Sequence, residues 1–151
     1  MTTPNYQLRP AKPQDITFVY KLNKTTMQDS VIKTWGEWDE TFQKKFISDK
    51  FKPERYQIIT HNHNDIGVVA IINQQDKIRL DEIQLLPQYQ GQGIGTHIIK
   101  TLIQQAAQSN KPLHLQVLKV NTKAKKLYQN LGFNVYDQTQ THELMIYKQH
   151  P

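Results

Sequence analysis

The stretch QYQGQGIGTHIIK, residues 88–100, is the feature that most constrains what this chain can fold into. It holds three of the chain's six glycines and runs directly into a helical pattern, in which apolar residues recur every four positions from Ile94 to Ala106. Glycines in such a turn let backbone N–H groups approach a ligand closely, and the N-terminus of a helix attracts anions. The stretch therefore predicts a strand–turn–helix unit that holds an anionic group.

Length and composition set the class of protein. The 151 residues suit a single domain, 1–151, that is large enough to bury a core. The absence of cysteine excludes disulfides, thiolate metal sites and a cysteine nucleophile. Neither an export signal nor a membrane-length apolar run is visible in the sequence, so we expect a soluble, cytoplasmic protein with no membrane partner.

The positive charge is unevenly distributed along the chain. The net charge is +6, yet no acid occurs from Ile83 to Tyr136, a range that holds lysines 100, 111, 119, 123, 125 and 126. A basic half that contains a Gly-rich turn favours a polyanionic ligand, although a solvated lysine face would give the same pattern. A nucleic-acid-binding domain is a further hypothesis, but no aromatic-and-basic sheet motif or basic recognition helix supports it, and we expect no nucleic-acid partner.

Periodicity along the chain predicts an α/β fold with a mixed central sheet flanked by helices. Helices are predicted at 15–22, 37–51 and 94–107, and from the cap residue Asn121 to Gly132. Strands are predicted at 6–9, 56–60, 66–72, 78–86, 113–117, 133–138 and 142–148.

The strand at 78–86 has an irregular alternation. Ile78 and Leu80 share one face, but the next strong apolar residues are Ile83 and Leu85, so the phase changes at Asp81–Glu82. A β-bulge inserts one extra residue in this way, and bulges are common beside active sites. A strand buried on both faces near its end would explain the same pattern.

Two familiar phosphate-binding motifs do not fit the Gly-rich turn. The dinucleotide fingerprint requires a glycine where Thr96 stands and an acid about twenty residues later, in a region that has none. A P-loop would need Gly-Lys-Ser or Gly-Lys-Thr, whereas Gly95 is followed by Thr96 and His97. A second clue is the segment VNTKAKKLY, which places lysines at the positive end of a helix, where an anionic ligand would stabilise them.

The segments QYQGQGIGTHII and LQVLKVNTKAKKLYQNLGF together resemble the GCN5-related N-acetyltransferase (GNAT) family. The first resembles the family's acetyl-CoA-binding motif, with Gln90, Gly93 and Gly95 at its motif positions. The second resembles the family's later strand and helix, with an Asn, an Ala, Leu-Tyr and Leu-Gly-Phe at the family's spacing. LDEIQLLPQ resembles the flanking strand, and the resemblance covers roughly residues 5–148.

This resemblance implies a bulged central strand, splayed from its neighbour to admit the cosubstrate acetyl-CoA. The pyrophosphate would lie on the turn, the pantetheine arm would pair with the bulged strand, and Asn121 would contact the arm or the thioester. The residues implied in binding are Ile83, Leu85, Leu86, Gln90, Gly91, Gln92, Gly93, Ile94, Gly95, Thr96, Asn121, Lys125 and Tyr128.

The resemblance also implies the chemistry. An acetyl group would pass directly to a primary amine, which must first lose a proton because amines are largely protonated near neutral pH. Glu82, at the predicted bulge, is the candidate base, acting directly or through a water molecule, with Asp81 as the alternative. An ordinary edge carboxylate that pairs with a lysine would explain Glu82 equally well. Tyr128 matches the tyrosine that family members often direct at the sulfur of CoA, and we expect it to act as the acid. A core tyrosine on the apolar face of its helix is the alternative.

The segment TWGEWDETF resembles a Trp-Gly-Trp-Asp-Glu signature of one GNAT subgroup, with Glu37 inserted. Because this segment begins the predicted second helix, Trp35, Trp38 and Glu40 are candidate acceptor-binding residues, with aromatic core packing as the alternative. The histidines at 61 and 63 share a turn that offers no third ligand, so we expect no metal.

The predicted function is therefore an acetyl-CoA-dependent N-acetyltransferase, acting as a monomer or a homodimer. Its acceptor amine, a small molecule, a peptide or a protein, is left open by the sequence. The alternative is a CoA-binding sensor or regulatory module that has the same fold without catalysis.

Overall fold

A computed structural model describes residues 3–148, which form seven strands and four helices. In chain order the elements are β1 (Gln7–Pro10), α1 (Ile16–Trp35), α2 (Glu40–Lys50), β2 (Tyr56–His61), β3 (Asn64–Asn73), β4 (Ile78–Leu85), α3 (Ile94–Gln108), β5 (Leu113–Leu118), α4 (Thr122–Asn130), β6 (Asn134–Gln138) and β7 (His142–Tyr147). None of the helices in this part of the chain combines the length and apolar character that crossing a bilayer requires.

The strands form one mixed sheet in the order β1-β2-β3-β4-β5-β7-β6. Pairing is antiparallel between β1 and β2, β2 and β3, β5 and β7, and β6 and β7. β4 and β5 pair in parallel, with Ile78 opposite Leu113 and Arg79 opposite His114. The α/β class with a mixed sheet is thus confirmed.

The chain divides into two compact units, each with its own buried side chains. The first unit comprises residues up to Ala70 together with Glu82–His97, and the second comprises Ile71–Asp81 together with residues from Ile98 onward. In the first unit α1 and α2 pack on β2 and β3 through Val19, Leu22, Ile47, Phe51, Tyr56, Ile58, Val68 and Ala70. The buried side chains of the second unit include Leu102, Leu113, Leu115, Val117, Phe133 and Met145.

The first helix is much longer than the sequence pattern predicts. The apolar pattern suggested an end at Leu22, whereas α1 continues to Trp35 and ends at Gly36, whose φ is 94° and whose N–H bonds to the carbonyl of Ile32 at 2.8 Å. Beyond Leu22 the helix presents polar side chains, Asn23 and Thr26, to partners on β4. A helix face that binds polar strand residues lacks the apolar periodicity on which the prediction relied.

The second helix begins three residues later than predicted. Its first residue is Glu40, because Asp39 caps the helix by accepting a hydrogen bond from the N–H of Phe42 at 3.0 Å. An aspartate at this position satisfies one of the free N–H groups of the first turn.

An ion cluster stabilises the start of the first unit. Both terminal nitrogens of Arg9 donate to Asp15 at 2.9 Å, and the guanidinium also contacts Asp65 at 3.1 Å. The N–H of Lys12 donates to the same Asp15 carboxylate at 2.7 Å. The hydrogen bond from Arg9 is the main cause that holds the pKa of Asp15 below its usual value, against the opposing effect of burial.

We predict that Asp15→Asn lowers the free energy of unfolding by about 2 kcal/mol at neutral pH, because hydrogen bonds from a cation and from the backbone to an anion are weakened. A carboxyl group whose pKa is lower in the folded state than in the unfolded state stabilises the fold at pH values above its usual pKa. That contribution to the free energy of unfolding is lost as the pH falls through the pKa of the folded state. The gap between wild type and variant in urea unfolding should therefore shrink on acidification to about pH 2.5. Asp29→Asn, at an exposed position, is the control; a gap that does not change with pH would contradict the prediction.

Candidate active site

A strand, a Gly-rich turn and a helix N-terminus follow one another in the first unit. β4 ends at Leu85, a short 3-10 turn occupies Pro87–Tyr89, and α3 starts at Ile94. Gly91 and Gly93 have φ values of 74° and 89°, a region that other residues enter only with strain. The predicted strand–turn–helix unit is present.

The glutamine side chains of the turn bind to its own backbone. Nε2 of Gln90 donates to the carbonyl of Leu85 at 2.9 Å, and Nε2 of Gln92 donates to the carbonyl of Gln88 at 3.0 Å. Both glutamines therefore shape the turn in this structure, and any ligand contact from them would come from the backbone.

The N-terminus of α3 fits an anionic group. Its hydrogen-bond ladder starts where the N–H of His97 donates to the carbonyl of Gly93 at 2.9 Å, so the N–H groups of residues 94–96 precede the ladder. Such N–H groups, next to glycines that have no side chain to shield them, form a favourable phosphate site. The region from Ile83 to Tyr136 also has no acid that would repel a phosphate.

β4 changes phase two residues later than the sequence pattern suggested. Ile78, Leu80 and Glu82 are buried in regular alternation, Ile83 and Gln84 are both partly buried, and Leu85 is buried again. The irregularity therefore falls at Ile83–Gln84. The apolar pattern could not locate it, because the side chain that continues the buried face is a carboxylate.

Glu82 is held by hydrogen bonds from two elements of the first unit. Nδ2 of Asn23 on α1 donates to Oε1 at 2.5 Å, and the hydroxyl of Tyr56 on β2 donates to Oε2 at 2.7 Å. Nζ of Lys50, at the end of α2, lies 3.9 Å from Oε2. Glu82 is only 8% exposed, and each of its oxygens keeps a second lone pair that could accept a proton.

Gly67 on β3 allows β4 to approach unusually closely where its phase changes. A Cβ atom at Gly67 would lie 2.3 Å from the carbonyl oxygen of Gln84 and 2.8 Å from the side chain of Leu85. The N–H of Leu86 donates to the carbonyl of Ile66 at 2.8 Å, which ties the end of β4 to β3. A glycine inside a strand is typical of such a close backbone approach.

In the second unit, α4 begins at the cap that the sequence predicted. The side-chain oxygen of Asn121 accepts a hydrogen bond from the N–H of Ala124 at 3.2 Å. Lys125 in the first turn donates to Glu143 on β7 at 2.8 Å. The charge of Lys125 is therefore already compensated by Glu143 within the second unit.

Tyr128 lies on α4 in the second unit, with its ring at an edge-on angle to Phe133 and the two ring centroids 6.0 Å apart. The residue is partly exposed, but its hydroxyl is enclosed, and this burial raises its pKa to about 12. The hydroxyl is therefore protonated at neutral pH and can only donate its hydrogen to an anionic group.

The segment TWGEWDETF contains the end of α1, a short loop and the first residues of α2, which begins at Glu40, three residues later than predicted. Trp35 ends α1 and is 56% exposed, while Trp38 lies in the loop with its ring centroid 6.4 Å from that of Tyr20. Glu40 accepts hydrogen bonds from Lys24 and Tyr20, and the bond from Lys24 is the main cause that lowers its pKa. The charge of Glu40 is thus already compensated within the chain.

His61 and His63 belong to the β2–β3 hairpin, and His61 binds the carbonyl of Asn5 at 2.9 Å. Within residues 3–148, no group of three or more His, Asp or Glu side chains is arranged to hold a metal ion.

Comparison with known proteins identifies the family. Residues 16–146 match the family model described as an acetyltransferase (GNAT) domain. The chain belongs to the GNAT acetyltransferase family, and its reaction class is acetyl-CoA-dependent N-acetyl transfer.

Particular relatives share most of the chain. The spermidine N(1)-acetyltransferase of Escherichia coli is 28% identical over 149 residues, which cover 93% of this chain and 78% of that protein. The PaiA N-acetyltransferase of Thermoplasma acidophilum, solved in complex with coenzyme A, has a TM-score of 0.77 at 16% identity and covers 97% of this chain and 100% of its own. The ribosomal-protein-S18-alanine N-acetyltransferase of Escherichia coli has a TM-score of 0.69 at 20% identity, with coverage of 97% and 96%.

Sequence reasoning missed the residues that surround Glu82. Asn23 and Tyr56 lie within ordinary helix and strand patterns, 59 and 26 positions away from the carboxylate along the chain. A signal for Asn23 was present, since an amide directly after the buried Leu22 interrupts the apolar pattern of α1. Tyr56 carries no such signal, because a tyrosine at the start of a strand is common in apolar cores.

Proposed function

We propose that this enzyme transfers the acetyl group of acetyl-CoA directly to a primary amine, with Glu82 as the general base. The observation that carries the proposal is the buried carboxylate of Glu82, positioned on β4 by two neutral donors and followed along the chain by the Gly-rich turn. The N–H groups from Gln90 to Thr96 would bind the pyrophosphate, and the backbone of Ile83, Leu85 and Leu86 would pair with the pantetheine arm. Asn121 would contact the arm or the thioester.

The proposed reaction forms one bond, breaks one bond and transfers one proton. The amine nitrogen forms a bond to the acetyl carbon, the carbon–sulfur bond breaks, and CoA leaves as a thiolate. The proton from the amine passes to Glu82, directly or through one water molecule. No covalent acetyl-enzyme is required.

In this scheme Tyr128 donates a hydrogen bond to the departing sulfur. A phenol with a pKa near 12 holds its proton far more tightly than a thiol, whose usual value is about 8.5. The tyrosine therefore stabilises the thiolate chiefly as a hydrogen-bond donor. The final proton on the sulfur comes from a stronger acid, such as a hydronium ion or a buffer acid, and Glu82 releases the proton of the amine to the solvent.

We predict that Tyr128→Phe lowers kcat about tenfold, because removing a hydrogen bond to a charged group weakens stabilisation of the departing thiolate by about 1.5 kcal/mol. The dissociation constant of acetyl-CoA should change little, since the thiolate exists only after the bond begins to break. Steady-state kinetics and calorimetry measure the two quantities. Tyr136→Phe, at an exposed position, is the control; an unchanged kcat in Tyr128→Phe would remove this role.

The acceptor is an amine, and the names of similar proteins suggest which class of amine to test first. A polyamine and a peptide N-terminus are the first candidates, because the E. coli relative is named for spermidine and one structural neighbour for a ribosomal-protein alanine. Glu40 does not favour a cationic acceptor on its own, because Lys24 already compensates its charge. Trp35 and Trp38 stay proposed acceptor contacts, because their rings lie at or beside the junction of α1 and α2.

The experiment that tests the proposal is calorimetric titration with acetyl-CoA on protein stripped of bound ligand, with CoA, NAD and ATP as comparison ligands. We expect selective binding of acetyl-CoA and CoA. Release of free thiol is then followed with spermidine, free lysine and an alanine-initiated peptide as acceptors. Absence of acetyl-CoA binding would overturn the proposal, and binding without transfer to any amine would favour the sensor alternative.

We further propose that residues 1–151 act as one catalytic domain, in the cytoplasm, as a monomer or a homodimer. Acetyl-CoA and the amine would be its only partners, without a metal, a nucleic acid or a membrane.

A further inference from the structure

The setting of Glu82 differs from that of an ordinary buried residue in a strand. Its position continues the buried face of Ile78 and Leu80, where an apolar side chain would complete the packing. A carboxylate there is costly to bury unless hydrogen bonds replace its water. The chain supplies those bonds from elements far apart in sequence, α1 and β2.

The donors bind one oxygen each, so together they fix the plane of the carboxylate. Asn23 approaches Oε1 at 2.5 Å and Tyr56 approaches Oε2 at 2.7 Å, and Tyr56 is itself only 3% exposed. Both donors are neutral, whereas the ammonium group of Lys50 stays at 3.9 Å, beyond hydrogen-bond distance. This arrangement orients the carboxylate without placing a hydrogen-bonded cation on it.

We propose that Asn23 and Tyr56 are positioning residues, which hold the Glu82 carboxylate at the angle at which it receives the proton of the amine. The inference rests on the proposed role of Glu82 as the base. A base must lie within hydrogen-bond reach of the proton it accepts, and small misplacements of a reacting group can lower rates strongly. Carboxylate orientation is thus a requirement of the chemistry as well as of the fold.

The structure offers a matched control one turn further along α1. The hydroxyl of Thr26 donates to the side-chain carbonyl of Gln84 at 2.6 Å, which is a second polar bond between α1 and β4 that does not involve Glu82. Thr26→Val removes this bond with little change of shape. If the polar bonds only joined helix and strand, removal of any one of them would have similar effects.

The first test is Tyr56→Phe, which deletes one hydroxyl. Thiol release from acetyl-CoA is measured with spermidine, free lysine and an alanine-initiated peptide as acceptors. We expect kcat to fall by about tenfold, while the dissociation constant of acetyl-CoA stays unchanged. Thr26→Val should stay within about twofold of wild type in both quantities. Thermal unfolding of each variant measures any general loss of stability.

The second test is Asn23→Asp, which replaces a donor by a second carboxylate beside Oε1. Two adjacent carboxylates repel each other when both are charged, so the pair in this variant retains a proton to higher pH. The acidic limb of kcat/KM against pH should therefore move upward by about one pH unit. Two titratable groups, Lys50 and Tyr56, face Glu82, and both are unchanged in this variant. The pH profiles of the variant and of wild type are measured with the same acceptor amine.

The outcomes separate this inference from the function on which it rests. If Tyr56→Phe and Asn23→Asp behave like Thr26→Val while Glu82→Gln is strongly impaired, the base assignment stands and the positioning role is wrong. If Glu82→Gln is as active as wild type, both proposals are wrong. A fall in kcat in Tyr56→Phe with unchanged affinity for acetyl-CoA would support the positioning role, and the shifted profile of Asn23→Asp would show that the group at position 23 acts on the base.

Discussion

Glu82→Gln should lower kcat/KM for acetyl transfer by about 10² to 10⁴, the usual contribution of general acid–base catalysis. Glutamine has the shape of glutamate, so its oxygen can still accept the hydrogen bond of Asn23 and its amide can donate to the oxygen of Tyr56. The variant removes the ability to take a proton and leaves the packing largely intact. Acetyl-CoA affinity should be preserved, because the turn at residues 90–96 is unchanged.

The controls for this variant are Glu82→Asp and a series of measurements at increasing pH. Glu82→Asp keeps a carboxylate but moves it back by one methylene, so we expect intermediate activity. As the pH rises, more of the acceptor amine is already deprotonated, and the deficit of Glu82→Gln should narrow. A variant with wild-type kcat/KM and pH profile would show that Glu82 serves the fold alone.

Gly67→Ala should destabilise the protein strongly, although it adds only one methyl group. The new Cβ would lie 2.3 Å from the carbonyl oxygen of Gln84, and a backbone atom cannot move aside as a flexible side chain can. The side chain of Ile59 lies at 3.2 Å on the other side, which closes the remaining space. We expect a loss of about 3 kcal/mol in the free energy of unfolding, the upper part of the usual range for overpacking. The thermal midpoint should fall by roughly 6–12 °C.

Gly36→Ala is the matched control for this prediction. Gly36 has a φ of 94°, so alanine is strained there, but nothing lies within 4 Å of its added Cβ. Its cost should be limited to about 1 kcal/mol of backbone strain. Equal thermal midpoints for the two variants would contradict the close approach of β4 to Gly67. In folded Gly67→Ala protein, acetyl transfer should also fall, because Gln84 follows Glu82 by two residues on β4.

The sequence predicted the elements whose local patterns are strong. Alternating and four-step apolar residues located the strands and α3, and the caps Asn121 and Gly132 bounded α4. These patterns arise from burial and from backbone conformation, which act within a few residues.

Features that depend on partners far along the chain were not predictable in the same way. The length of α1 and the position of the irregularity in β4 were both misjudged, because the contact between α1 and β4 is polar: Asn23 with Glu82, and Thr26 with Gln84. The ion pairs of Glu40 and Lys125 likewise form with residues 16 and 18 positions away. A sequence pattern shows that these side chains are charged and does not show which partner compensates them.

The most direct test of acetyl transfer without a covalent intermediate is mass spectrometry of the purified protein incubated with acetyl-CoA and the amine panel. We predict that one amine gains a single acetyl group, that one CoA thiol is released for each acetyl group transferred, and that the protein gains no mass. Release of CoA without an acetylated amine, or an acetyl group that accumulates on the protein as an intermediate, would contradict direct transfer assisted by Glu82.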